Sequence, residues 1–79
     1  MYDMMRYTDL VHNWREYASQ NPNQRSGQAA FNSVFIDEPE IANAIRATDF
    51  DPFYRDDLLP EFWMRVYSLM YFGEDGEGA

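Results

Sequence analysis

LLPEFWMRVYSLMYF, residues 58–72, decides the fold, because it is the most apolar stretch of the chain and its only clearly polar positions are Glu61, Arg65 and Ser68. A membrane span needs about 20 consecutive apolar residues, and this run falls about five short while carrying a glutamate and an arginine. Its spacing is that of a water-soluble helix. Leu59, Phe62, Trp63, Val66, Tyr67 and Met70 recur along one helical stripe; Leu58, Leu69 and Phe72 widen it on one flank, and Met64 and Tyr71 on the other. A helix apolar around most of its circumference belongs at the centre of a small bundle, or keeps part of its surface for contact. Met64, Tyr71 and Phe72 are therefore the candidate apolar partner-binding residues.

Upstream, Tyr7, Leu10, Val11, Trp14, Tyr17 and Ala18 repeat at helical spacing, predicting a helix from about 3 to 19 that stops at Asn21-Pro22. Asp9, His12, Asn13 and Glu16 fall on its wetter side. A second helix, capped by Asn23 or Ser26, carries Ala30, Phe31, Val34 and Phe35 on one face, and Gly27, Ala29 and Ala30 suit close approach to a neighbouring helix. Glu38-Pro39-Glu40 restarts the chain as a third helix to about 48, burying Ile41, Ala44 and Ile45, with Ala42 a further candidate. Asp56 or Asp57 and Pro60 open the fourth. No period-two run predicts a strand. The expected fold is all-α: a compact bundle of three to four helices over 1–72, followed by a flexible acidic Gly-rich tail, 73–79.

The chain has 79 residues and no cysteine, so neither disulfides nor thiolate ligands hold it together. Its 14 aromatic residues compensate, since each can bury roughly 150–250 Å². The opening MYDMMRY reads as neither a signal nor a transit peptide, and a cytoplasmic location is expected.

Charge is one-sided. Residues 1–36 balance three acids against three arginines, whereas 37–79 set eleven acids against Arg46, Arg55 and Arg65, giving the net −8. Such a chain repels nucleic acid and anionic membranes and associates faster with a basic protein surface. Asp37, Glu38, Glu40, Asp56, Asp57 and Glu61 are the candidate acidic partner-binding residues. The eight acids between 37 and 61, set against Arg46 and Arg55 at phosphate-like spacing, motivate a further alternative, a DNA-mimic inhibitor.

The loop TDFDPFYRDD, 48–57, holds four of the eleven acids of 37–79, Asp49, Asp51, Asp56 and Asp57. It fails as an EF-hand: counting from Asp49, Phe53 and Tyr54 stand at positions five and six, where an oxygen ligand and glycine belong, and Pro60 stands at twelve. It reads better as a connector, with Asp49 and Asp51 forming turns by accepting the backbone N–H groups two residues on, Phe50 and Phe53 turned inward, and Arg55 paired with Asp56 or Asp57. No metal or other cofactor is expected. Catalysis is not expected either: His12 between Asp9 and Glu16 reads as a solvated cluster, and there is no phosphate loop or nucleophile set.

The order Trp14-Arg15, Asn21-Pro22, Arg25-Ser26-Gly27-Gln28, Phe31-Asn32, Pro39, Ala42, Ile45-Arg46-Ala47-Thr48 and Asp51-Pro52-Phe53-Tyr54 resembles small uncharacterised proteins of phage and bacterial genomes, over residues 14–62. The resemblance implies an accessory protein that binds or disarms a host component, in the host cytoplasm if phage-encoded. It also implies that the second helix pins the loop, Arg25 pairing with Asp49 or Asp51 while the Gln28 and Asn32 amides hydrogen-bond free backbone groups of the loop. The expected function is thus protein–protein binding that modulates a host protein handling nucleic acid or defence. The alternative is a self-assembling component, a homodimer or virion-associated protein.

Overall fold

The computed structural model describes residues 4–72, and over them the chain is all-α: α1 (Met4–Gln20), α2 (Ser26–Asp37), α3 (Pro39–Ile45) and α4 (Leu59–Phe72). One turn of 3₁₀ helix, Asp56–Leu58, leads into α4. No strand forms among the described residues, and no helix among them is long and apolar enough to cross a membrane. The tail expected to be flexible, 73–79, lies outside them.

The centre of the bundle is α2, which packs against α1, α3 and α4. Gly27, Ala29, Ala30, Phe31, Ser33 and Val34 are all buried on it, and the small side chains let its neighbours approach. Of the two roles open to the apolar α4, the structure leaves it the peripheral one. Only Phe62 and Val66 are fully buried there, while Leu59, Trp63, Leu69 and Met70 lie half-buried against the core.

Helix α1 ends where Asn21 folds back, its side-chain amide donating to the Tyr17 carbonyl at 2.9 Å and so satisfying a terminal acceptor. The turn is then tied to its neighbours: Gln24 donates to the Tyr17 hydroxyl at 3.0 Å and accepts from the Asn32 amide at 3.1 Å. Helix α3 stops at Ile45, short of the expected end near 48, because Arg46 leaves the helical region at ψ 131° and Ala47 follows in a left-handed conformation, φ 63°. Ile41, Ala42 and Ile45 are buried, whereas Ala44, expected inside, is exposed.

Between α1 and α4 the aromatic rings close on one another. Tyr7 meets Trp63 and Tyr67 edge-on at 6.1 and 5.2 Å, and Trp14 meets Trp63 at 5.3 Å. The Tyr7 backbone N–H donates to the Tyr71 hydroxyl at 3.0 Å. Burial, with Tyr67 and Tyr71 adding to it, pushes the Tyr7 phenol above its usual range. The Trp14 and Trp63 indole N–H groups are buried in this region without a hydrogen-bond acceptor among the described residues.

Candidate functional site

The 46–58 loop is held by its own carboxylates and by α2. Asp51 receives the Phe53 N–H on one oxygen at 2.9 Å, as its turn-forming role requires, and the Ala47 N–H on the other at 2.6 Å. The turn expected at Asp49 is made one residue earlier: the Thr48 hydroxyl donates to the Ile45 carbonyl at 2.6 Å and accepts from the Phe50 N–H at 3.2 Å. Asp49 is exposed and makes no hydrogen bond or ion pair among the described residues.

Arg25 pins the loop, but through different atoms from those the resemblance implies. Its Nη2 donates to the Phe53 carbonyl at 2.6 Å and its Nη1 lies 3.4 Å from Asp56 Oδ1. Asn32 turns away to Gln24. The same Asp56 oxygen accepts the Gly27 N–H at 2.9 Å. Asp56 therefore caps α2, not α4, and places its charge at the positive end of the central helix, whose own N-cap residue, Arg25, makes no side-chain cap. Neither Asn23 nor Ser26 fills that role. Gly27 is needed for this approach: a Cβ there would stand 2.2 Å from the Pro52 carbonyl oxygen. What comes close to the small residue is a loop, not a helix. Arg55 grips Asp57 with two hydrogen bonds of 2.9 and 2.6 Å, which holds the Asp57 carboxyl below its usual range and raises the Arg55 guanidinium.

Pinning the loop opens a groove beside it, about 510 Å³, lined by Phe31 and Phe35 of α2 and by Arg46, Ala47, Asp51, Phe53 and Tyr54. Phe53 packs edge-on against Phe31 at 6.0 Å and against Tyr54 at 4.8 Å. The Arg46 guanidinium lies over the Phe31 and Phe35 rings at 5.3 and 5.5 Å, a cation–π arrangement, and makes no hydrogen bond or ion pair among the described residues. Tyr54 is 82% exposed and Phe35 40%. Across Tyr54 a second concavity, about 440 Å³, includes Thr48, Asp49, Asp51 and Leu58. Ala47 lines both, and its left-handed backbone is the one positive φ at a non-glycine among the described residues, a conformation that costs an L-residue about 1–2 kcal/mol.

The sequence-derived acidic set is divided by the fold. Glu38 forms a two-bond pair with Arg6 at 2.9 and 2.7 Å, and Asp37 accepts from the Asn13 amide at 3.0 Å. Asp56 and Asp57 are engaged as described. Glu40 and Glu61 are exposed and have no partner among the described residues. In the apolar set, Met64 is 72% and Phe72 56% exposed, whereas Tyr71 is half-buried between α1 and α4. Met64 shares a shallow concavity of about 230 Å³ with Glu61, Phe50 and Arg65. Phe50, expected inside, lies partly exposed under the Arg65 guanidinium at 5.4 Å, and Pro52 is the loop residue that is fully buried.

Phe35, Arg46, Ala47 and Tyr54 were not candidates from sequence. Helical spacing assigns Phe35 to the core, yet α2 ends two residues later, and in that last turn the ring is left exposed beside the Arg46 guanidinium. The available signal is Phe53-Tyr54: adjacent rings in a turn do not both point inward. His12 lies 3.9 Å from Glu16 with both side chains largely exposed, and among the described residues no three histidine or acidic side chains converge as a metal ion would require. Comparison of the chain with protein-family models, with curated proteins and with solved structures finds no match.

Proposed function

We propose that this chain is a small accessory protein that works by binding another protein, with the aromatic groove as its contact surface. Tyr54 is the observation that carries the reading. A large ring, 82% exposed, stands on a loop already ordered by Asp51, Arg25 and Asp56, so little further ordering is needed on binding. Aromatic side chains dominate contact surfaces because they offer much area for few torsions. The acid excess of 37–79 favours encounter with a basic protein. A phage-type role, modulating a host protein in the host cytoplasm, agrees with the resemblance of Arg25-Ser26-Gly27-Gln28 and Asp51-Pro52-Phe53-Tyr54.

Internal engagement of Glu38, Asp51, Asp56 and Asp57 weakens the DNA-mimic alternative, since it leaves few carboxylates to present as a phosphate-like row. Exposure of Met64 and Phe72 on α4 favours self-assembly as a second reading. Two measurements separate them. A captured host protein should be lost on Tyr54→Ala with the far-ultraviolet dichroism unchanged, and retained on Glu40→Lys with Glu61→Lys; the reverse pattern moves the contact to the acidic face. A concentration-dependent mass in sedimentation, abolished by Met64→Glu, would establish self-assembly instead.

A further inference from the structure

We infer that the groove takes a short segment of the partner that presents an uncharged apolar side chain and, about two or three residues away, a lysine or arginine. The inference rests on the groove being the contact surface and specifies what it accepts. The two concavities that meet at Tyr54 differ in charge and polarity. On one side Phe31, Phe35 and Phe53 form an aromatic floor, and the cation that such a floor attracts is already present as Arg46. A second cation there meets like charge, so that side suits an apolar or aromatic group.

On the other side the carboxylates are not equivalent. Both Asp51 oxygens hold backbone N–H groups, and Arg55, which also lines this side, is neutralised by Asp57. Asp49 alone among these ionised groups has no partner within the described residues, and it stands on a chain of net charge −8. It is the counter-ion available to an incoming cation. An extended chain advances about 3.3–3.6 Å per residue, and the concavities adjoin across one ring, which sets the spacing of two or three residues. Arg46 has five N–H donors and none is engaged among the described residues; over the phenylalanine rings it can donate to main-chain carbonyls of the segment.

The test is selection of a random seven-residue peptide library, displayed on filamentous phage, against the immobilised full chain, with Tyr54→Ala and Asp49→Asn variants in parallel. Enriched peptides should pair an aromatic or aliphatic residue with a lysine or arginine at that spacing. By fluorescence anisotropy their affinity should fall at least tenfold on Tyr54→Ala, and about two- to fivefold on Asp49→Asn, the range for one exposed ion pair, with a shallower dependence on salt. Asp49 is exposed and makes no hydrogen bond or ion pair with a described residue, so its substitution is expected to leave the far-ultraviolet dichroism unchanged. Peptides that need Tyr54 but lack a basic residue, that carry acids directed at Arg46, or that bind Asp49→Asn unchanged would overturn this inference and leave the groove standing. Absence of any Tyr54-dependent peptide would overturn both.

Discussion

The α1–α4 seam and the α2–loop groove are both built from aromatic rings, yet one is closed and the other open. In the seam Tyr7, Trp14, Trp63 and Tyr67 come from two helices and pack onto each other, so the rings themselves hold the surfaces together. In the groove Phe53 meets Phe31 and Tyr54 edge-on, yet Phe35 and Tyr54 stay exposed, beside a loop whose position is set by polar contacts from Arg25, Asp51 and Asp56. Rings carried beside a hydrogen-bonded loop stay exposed, and under the proposed binding role this difference separates packing from recognition in a chain with 14 aromatic residues.

The comparison breaks most completely at Phe62, which is fully buried and touches both regions, meeting Phe31 at 6.5 Å and Trp63 at 5.2 Å. Phe62→Ala should cost about 3–5 kcal/mol, comparable to the whole stability expected for so small a domain, and should abolish the near-ultraviolet dichroism and the urea transition. Gly27→Ala should strike the groove alone. Its methyl group meets the Pro52 carbonyl, and a loss of about 1–3 kcal/mol is expected in urea unfolding, while tryptophan emission from the seam stays native-like before the transition.

Ala47→Gly tests whether the groove stores strain. Relief of the left-handed alanine outweighs the added chain entropy, so the unfolding free energy measured in urea should rise by about 0.5–1 kcal/mol; a fall would show that the backbone at 47 is relaxed. The smallest effect is the pH response of Asp57. Its folded-state carboxyl titrates below the ordinary value of about 3.9, so its contribution is present above that value and is lost as pH falls through the lower, folded one. An NMR titration should place Asp57 below the ordinary midpoint, and Arg55→Gln should return it there.

Much of the bundle was legible because periodicity reports which face of a helix is apolar. The stripes of Tyr7 to Ala18 and of Leu59 to Met70 lie where their spacing puts them, and the Asn21-Pro22 stop ends α1 within a residue of its expected boundary near 19. Periodicity does not report what lies above a face. Phe35 satisfies the helical pattern but sits in the last turn of α2, where the chain has already turned away; Ala44 does the same on α3. The candidate site was less legible. Asp56 looks like a cap for the helix it precedes, and only the packing of the loop on Gly27 reveals that it caps α2, distant in sequence.

Local properties are what the sequence by itself determined: helices at their spacing, turn-forming Asp51, an Arg55–Asp57 pair two residues apart, and a net charge concentrated after residue 36. These follow from near neighbours along the chain, whose geometry is set by the backbone. Which carboxylates stay unengaged, which rings stay exposed and which helix takes the centre were decided only by tertiary structure. Those outcomes rest on contacts such as Arg6 with Glu38 and Arg25 with Phe53, between residues far apart in sequence, and no pattern within a single helix or loop encodes them.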